Sequence, residues 1–292
     1  MTDNQRGAML MMGSMAAFTV NDTFIKLLGG VLPLGQILFL RGGFVLIVLA
    51  ILAWRFGAVR WRFSRSDWGM IILRGLSEMA AAYFFIEALF NMPLANVTAL
   101  LQLLPLTVAL GAALFLREPI GWRRIAAICV GFVGMLFIVR PDSAGFGLYT
   151  IYGLIAVVAV TTRDLATRRI SKSVPSLMVT FIGAFFVWLM ACAMIVVTPM
   201  VPMGLHEWKL IAGAVIFVSV AYTLSVMVMR VGDISFVALF RYSGLIWALL
   251  LGWIVFGDWP QVLTFVGAIL IVGSGIYTML RERWNKRQTK SA

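Results

Sequence analysis

Two apolar runs of about 20 residues, 94–116 and 120–139, stand back to back in this chain, joined by the charged turn REPIGWRR. An α-helix rises 1.5 Å per residue, so either run can cross the roughly 30 Å of hydrocarbon in a bilayer. A helical hairpin through a membrane accounts for both. The chain as a whole agrees, with 62% hydrophobic residues, 12% charged residues and a mean hydropathy of +0.98. Those values lie outside the range of soluble domains and indicate an all-α integral membrane protein. The net charge of +12 would suggest nucleic acid in a soluble protein. Here it sits mostly in short connections, where it sets topology, so no nucleic-acid partner is expected.

The hairpin recurs. Residues 88–119 laid on 228–259, an offset of 140, match apolar to apolar and small to small, and bring Glu118 onto Asp258. Downstream, an offset of 142 places Gly131 on Gly273; upstream, the same offset places Pro33 on Pro175 and Asp22 on Asp164. The chain therefore reads as two copies of a five-helix unit, 7–140 and 147–283, with a basic cytoplasmic tail at 284–292. Ten spans are expected, at about 8–28, 33–54, 68–90, 94–116, 120–139, 148–168, 175–198, 208–229, 234–256 and 260–281. The N-terminal run lacks a small-residue cleavage site and is read as a retained first span.

Charge fixes the orientation. With the N-terminus in the cytoplasm, the inner segments carry seventeen Lys and Arg, whereas the outer ones carry only Arg140 and Lys209. The positive-inside rule then puts both termini in the cytoplasm. Five spans per copy is an odd number, so the copies enter the membrane in opposite directions. An inverted repeat of this kind offers two exchangeable conformations, the geometry of alternating access.

The doubled unit, the segment PLANVTALLQLLPLTVALGAALFLREPIGWRR, the small-residue helix VGFVGMLFIVRP and Arg41 inside the second span resemble the ten-helix EamA branch of the drug/metabolite transporter superfamily. The likeness covers Gly7 to Arg283. It implies a carrier with a central cavity lined mainly by spans one, three, four, six, eight and nine. Its members move amino acids, nucleotide-derived metabolites, vitamins and other small polar compounds. The chain looks nearest to bacterial inner-membrane members described as S-adenosylmethionine or riboflavin carriers. Family resemblance favours export.

Ionisable side chains within spans are costly unless they face a cavity or a partner, so each is a functional candidate. Asp22, Lys26, Arg41 and Glu87 fall toward the outer third of the membrane, and Arg74, Arg163, Asp164, Arg230 and Arg241 toward the inner third. Glu78 alone falls near the midplane. Arg74 and Glu78 are four residues apart on one helix face. They either neutralise each other between packed helices, or Glu78 binds a cationic group or exchanges a proton at the substrate site. Arg41 is expected to pair with Glu87 or Asp22 in an outer structural or gating contact. Arg163, Asp164 and Arg241 either snorkel to the cytoplasmic surface or form an inner gate. Tyr83, Gln102, Tyr222, Tyr242 and Trp247 add a substrate-binding surface, and Gln102 and Tyr242 are repeat equivalents. Glu118 and Asp258 precede helices and are read as caps.

These features describe a secondary carrier of a small polar or zwitterionic metabolite across the bacterial inner membrane, either exporting amino-acid-like compounds or importing S-adenosylmethionine or riboflavin. A proton or the solute's own gradient would drive it, since no GxxxxGK phosphate loop is present. No cofactor or metal is expected. Cys129 and Cys192 lie mid-span among apolar residues, and the single histidine, His206, has no HExxH spacing. An intramembrane enzyme or a non-transporting receptor is the remaining class. The carrier is expected as a monomer or weak homodimer in the bilayer.

Overall fold

The computed structural model describes residues 3–59, 61, 63–117, 121–139, 147–171, 173–228 and 237–291; Glu118 and Arg230 lie outside it. The described chain is helical almost throughout: α1 Asp3–Leu28, α2 Leu34–Arg55, α3 Arg65–Asn91, α4 Leu94–Leu101, α5 Leu104–Leu116, α6 Trp122–Val139, α7 Leu148–Arg169, α8 Ser176–Val197, α9 Leu205–Val228, a 3-10 turn Ala238–Tyr242, α10 Ser243–Phe256 and α11 Val262–Ser291. Among the described residues, seven segments are long and apolar enough to cross a membrane. The apolar stretches of α6 and α11, Ile125–Ile138 and Val262–Thr278, are shorter. The remaining segment, α1, carries Asn21, Asp22 and Lys26. Counting α4 with α5 and the 3-10 turn with α10, the described residues form ten segments.

Two expectations need correction. The fourth and ninth spans are not continuous helices. The fourth breaks after Leu101 because Pro105, at the start of α5, has no N–H to donate and its ring crowds the carbonyl one turn earlier. The ninth opens as a 3-10 turn, with Ser243 Oγ donating to Phe240 O at 2.7 Å. The basic stretch that follows the last span is helical as well, α11 running on through Ser291.

The backbone repeats where the sequence repeats. Pro33 and Pro175 are the N-caps of α2 and α8. Gln102 and Tyr242 both close the first part of a broken span. Arg117 and Gly257, also 140 apart, end α5 and α10 in the left-handed region at φ 55° and 71°. Packing follows the same two-fold pattern: α1 lies on α9 as α3 lies on α7, and α1 on α10 as α7 on α4 and α5. The other principal contacts pair α3 with α8 and, as its repeat equivalent, α2 with α9, together with α2 on α8, α6 on α11 and α4 on α10, each helix of these last three pairs with its counterpart from the other half.

Side-chain clasps tie the halves at two places. At the start of α2, Gln36 Nε2 donates to Val201 O, and Gln36 Oε1 accepts from Val201 N, both at 2.9 Å. At the start of α3, Asp67 accepts from Ser64 Oγ at 2.7 Å, Ser171 N at 2.9 Å and Ser171 Oγ at 2.8 Å. Between them, α6 and α11 cross closely at two glycines: a Cβ on Gly134 would lie 2.7 Å from Gly267 O and 2.9 Å from Leu270 Cβ. Gly273, on another face of α11, has nothing within 4 Å of its Cβ position.

This contrast predicts opposite outcomes for one substitution. Gly134→Ala should lower the thermal unfolding midpoint in detergent, by the equivalent of about 1–3 kcal/mol of overpacking. Gly273→Ala should leave it unchanged or raise it, since alanine is the better helix former by up to about 1 kcal/mol. Equal midpoints for the two variants would contradict the close crossing.

Candidate functional site

The α3–α7 interface holds a charged network. From α3, Arg74 and Glu78 project one turn apart, with Arg74 Nη2 3.5 Å from Glu78 Oε2. From α7, Arg163 Nη1 donates to Glu78 Oε1 at 3.1 Å, while its Nε and Nη2 both reach Asp164 Oδ1 at 2.9 Å. Arg163 therefore bridges two carboxylates. Arg74 is held by Thr167 Oγ1 at 3.1 Å and, through Nη1, by Val179 O on α8 at 3.0 Å. Gly183 on α8 makes that reach possible, because a Cβ there would collide with Arg74 Nη1.

Glu78 is left unevenly satisfied. Its Oε1 takes the Arg163 hydrogen bond, whereas Oε2 is buried and has no hydrogen-bond partner among the described residues. The Arg74 contact at 3.5 Å is an ion pair without hydrogen-bond geometry. A buried carboxylate oxygen in that state is a ready acceptor for a cationic or N–H group.

A second group lies on α1 and α2. Asn21 Nδ2 donates to Asp22 Oδ1 at 2.8 Å and Asn21 Oδ1 accepts from Arg41 Nε at 3.1 Å. Asp22 is thus within electrostatic range of Arg41. Tyr222 on α9 is within electrostatic range of both groups, of Glu78, Arg163 and Arg74 in the first and of Arg41 in the second. Its ring meets Phe18 edge-on at 5.4 Å. Further out, Lys26 Nζ donates to the carbonyls of Leu89 at 2.9 Å and Met92 at 2.6 Å, at the C-terminal end of α3, and lies 5.3 Å from the Phe256 ring centroid. Asp258, read from sequence as a cap, is within electrostatic range of that ammonium.

The other candidates are more dispersed. Arg41 lies with Asn21 and Asp22; Glu87 is half-buried near Tyr83. Tyr83 packs edge-on against Phe84 at 5.2 Å and lies 6.4 Å from Tyr152. Gln102 is buried at the break in the fourth span, its Nε2 beside Gly244. Tyr242 is buried too, but its hydroxyl abuts Gly275, which directs it to α11 rather than to the Glu78 network. Arg241 is exposed, and Trp247 is half-buried in α10. Sequence reasoning passed over Thr167, Gly183 and the bridging role of Asn21. Asn21 was visible as a second polar residue beside Asp22, whereas Gly183 carried no signal. Among the described residues no three His, Cys, Asp or Glu side chains gather as a metal site.

Comparison with known proteins agrees with this architecture. The EamA-like transporter family model matches the chain twice, over residues 5–140 and 147–280. The pseudopaline exporter CntI of Pseudomonas aeruginosa is 26% identical over 273 residues, covering 91% of this chain and 93% of its own. The riboflavin transporter of Vibrio cholerae is 26% identical over 245 residues, 80% of this chain and 78% of its own. The S-adenosylmethionine uptake transporter of Rickettsia prowazekii is 24% identical over 280 residues, 92% of this chain and 91% of its own. One solved crystal structure shares the fold, with a TM-score of 0.65 at 17% identity over 94% of this chain and 97% of that one. With both halves of its ten-segment membrane fold matched, the chain belongs to the EamA-like transporter family and is a multi-pass carrier of small molecules, not an enzyme.

Proposed function

We propose that the protein is a secondary carrier that exports a small polar or zwitterionic, amino-acid-like metabolite across the bacterial inner membrane by alternating access, with both termini cytoplasmic. Two halves, 7–140 and 147–283, would exchange the roles of open and closed face. The observation that carries this reading is the buried, unbonded Oε2 of Glu78 within a network that is otherwise paired. A solute ammonium or a coupling proton satisfies that oxygen, and Arg41 and Tyr222 lie on the side where a solute carboxylate would be met. Arg74, Arg163 and Asp164 hold Glu78 in place, and Gln102 at the helix break borders the same interior. Tyr83, Tyr242 and Trp247 are secondary contacts, and Asp22, Glu87 and Arg241 act toward the gates. The carrier works as a monomer or weak homodimer.

Import, of S-adenosylmethionine or riboflavin, is the second reading, and the relative named for S-adenosylmethionine uptake supports that direction. Vesicle orientation separates the two. An exporter accumulates solute in inside-out vesicles and an importer in right-side-out ones.

The solute is to be found first, by screening amino acids, S-adenosylmethionine, riboflavin, nucleosides and polyamines for a rise in the unfolding midpoint of purified protein. Glu78→Gln, which keeps the shape and removes the charge, should then reduce transport of the hit about tenfold or more, equivalent to losing roughly 1.4 kcal/mol of binding. The variant should remain folded, because a glutamine oxygen still accepts from Arg163. Undiminished transport by folded Glu78→Gln would remove Glu78 from the site.

A further inference from the structure

Far from the Glu78 network, at the basic end of the molecule, a groove of about 330 Å³ opens between α6 and α11. Trp122, Ala126 and Val130 fall four residues apart along one stripe of α6, with Ala127 beside them. Ser274 and Tyr277, one turn apart on α11, form the facing wall. The floor is shallow in side-chain bulk because alanines on α6 face the serine on α11. Trp122 is 72% exposed and Tyr277 45% exposed, so both aromatic rings flank an open trough. Arg123 stands at its mouth, its guanidinium 5.2 Å from the centroid of the Trp122 ring.

Depth and charge define what fits. From Arg123 to Val130 the helix descends about 10 Å, most of the roughly 15 Å thickness of one hydrocarbon leaflet. An aromatic ring and an arginine at the top of such a trough mark the headgroup level. By the positive-inside reading of the sequence, the segments on this side carry seventeen Lys and Arg, against two on the other, which favours a net negative headgroup. A free phosphate would meet Arg123 but leave the apolar trough unused. A zwitterionic lipid would fill the trough but bring its own cation to a basic surface.

We propose that this groove is a binding site for an anionic phospholipid, with an acyl chain in the trough between Ala126, Val130 and Tyr277 and the phosphate on Arg123. The lipid would lie across the α6–α11 pair, the seam at which the last helix of each half meets its counterpart.

The full chain, purified in neutral detergent, can be titrated with phosphatidylglycerol, phosphatidylcholine and inorganic phosphate, with binding read by native mass spectrometry. The protein should retain phosphatidylglycerol in preference to phosphatidylcholine. Arg123→Gln, at an exposed position, should weaken phosphatidylglycerol about fivefold, the worth of one cation near an anionic lipid surface, and leave phosphatidylcholine unchanged. Ala126→Trp, which fills the trough, should remove the preference altogether. Equal retention of the two lipids, or unaltered phosphatidylglycerol affinity in Arg123→Gln, would overturn the proposal. So would inorganic phosphate competing as well as the lipid, which indicates a free-anion site, or a dimer that Ala126→Trp dissociates, which indicates a second copy of the chain on this face.

Discussion

A backbone carbonyl left without a donor in hydrocarbon costs several kcal/mol, so a membrane chain can interrupt a helix only where protein surrounds the break. This chain interrupts two, at equivalent places in its halves. Both breaks are set among buried residues, although Arg241 in the second is exposed. Gln102 and Leu103 are 9% and 1% exposed, and Val237 and Tyr242, at the ends of the 3-10 turn, are 0% and 5% exposed. The segments containing them also touch each other, α4 against α10. The rest of the bundle can be understood as the enclosure these breaks need: α1 covers α10, and α7 covers α4 and α5.

The charged residues meet a related constraint. Arg74, Glu78, Arg163 and Asp164 carry two positive and two negative charges when ionised, and they form one network across α3 and α7. Neutralising the set within itself limits the cost of placing it inside the membrane. The arrangement depends on a residue without a side chain. Gly183 lets α8 approach α3 closely enough for Val179 O to take a hydrogen bond from Arg74, which draws that guanidinium away from ideal geometry with Glu78. The consequence is the single unbonded oxygen at Glu78. A larger residue at 183 would displace Arg74, so packing on α8 controls the polarity of a site built from α3 and α7.

Apolar run length, the 140–142 offset and Lys/Arg asymmetry together made the ten-segment doubled fold legible in the sequence. The breaks were less so. Pro105 signalled the first, but the ninth span has no proline or glycine at its 3-10 turn, and only its equivalence to the fourth could have revealed it. Charge pairing was legible where it is local, as for Arg74 and Glu78, and illegible where it crosses helices. Sorting residues into membrane layers by sequence position separated Glu78 from Arg163, yet the arginine side chain is long enough to span that difference. Tyr242 shows the opposite failure. Its register was read correctly as equivalent to Gln102, but direction depends on Gly275 across the interface, and a single span carries no information about its neighbour.

Repetition explains the scaffold and its failure explains the site. At the 142-residue offset Asp22 and Asp164 correspond, but Asn21 corresponds to Arg163 and Arg41 to Gly183. Each half thus keeps one carboxylate at the equivalent place and surrounds it differently. In the first half a neutral amide relays between Asp22 and Arg41; in the second an arginine bridges Asp164 to Glu78. A perfectly two-fold interior would present the same groups to both ends of a bound solute and could not favour one orientation of it. Because the helices obey the symmetry and the charges do not, the alternating access proposed above would let the same framework interchange its two faces around a solute whose ends carry opposite charge.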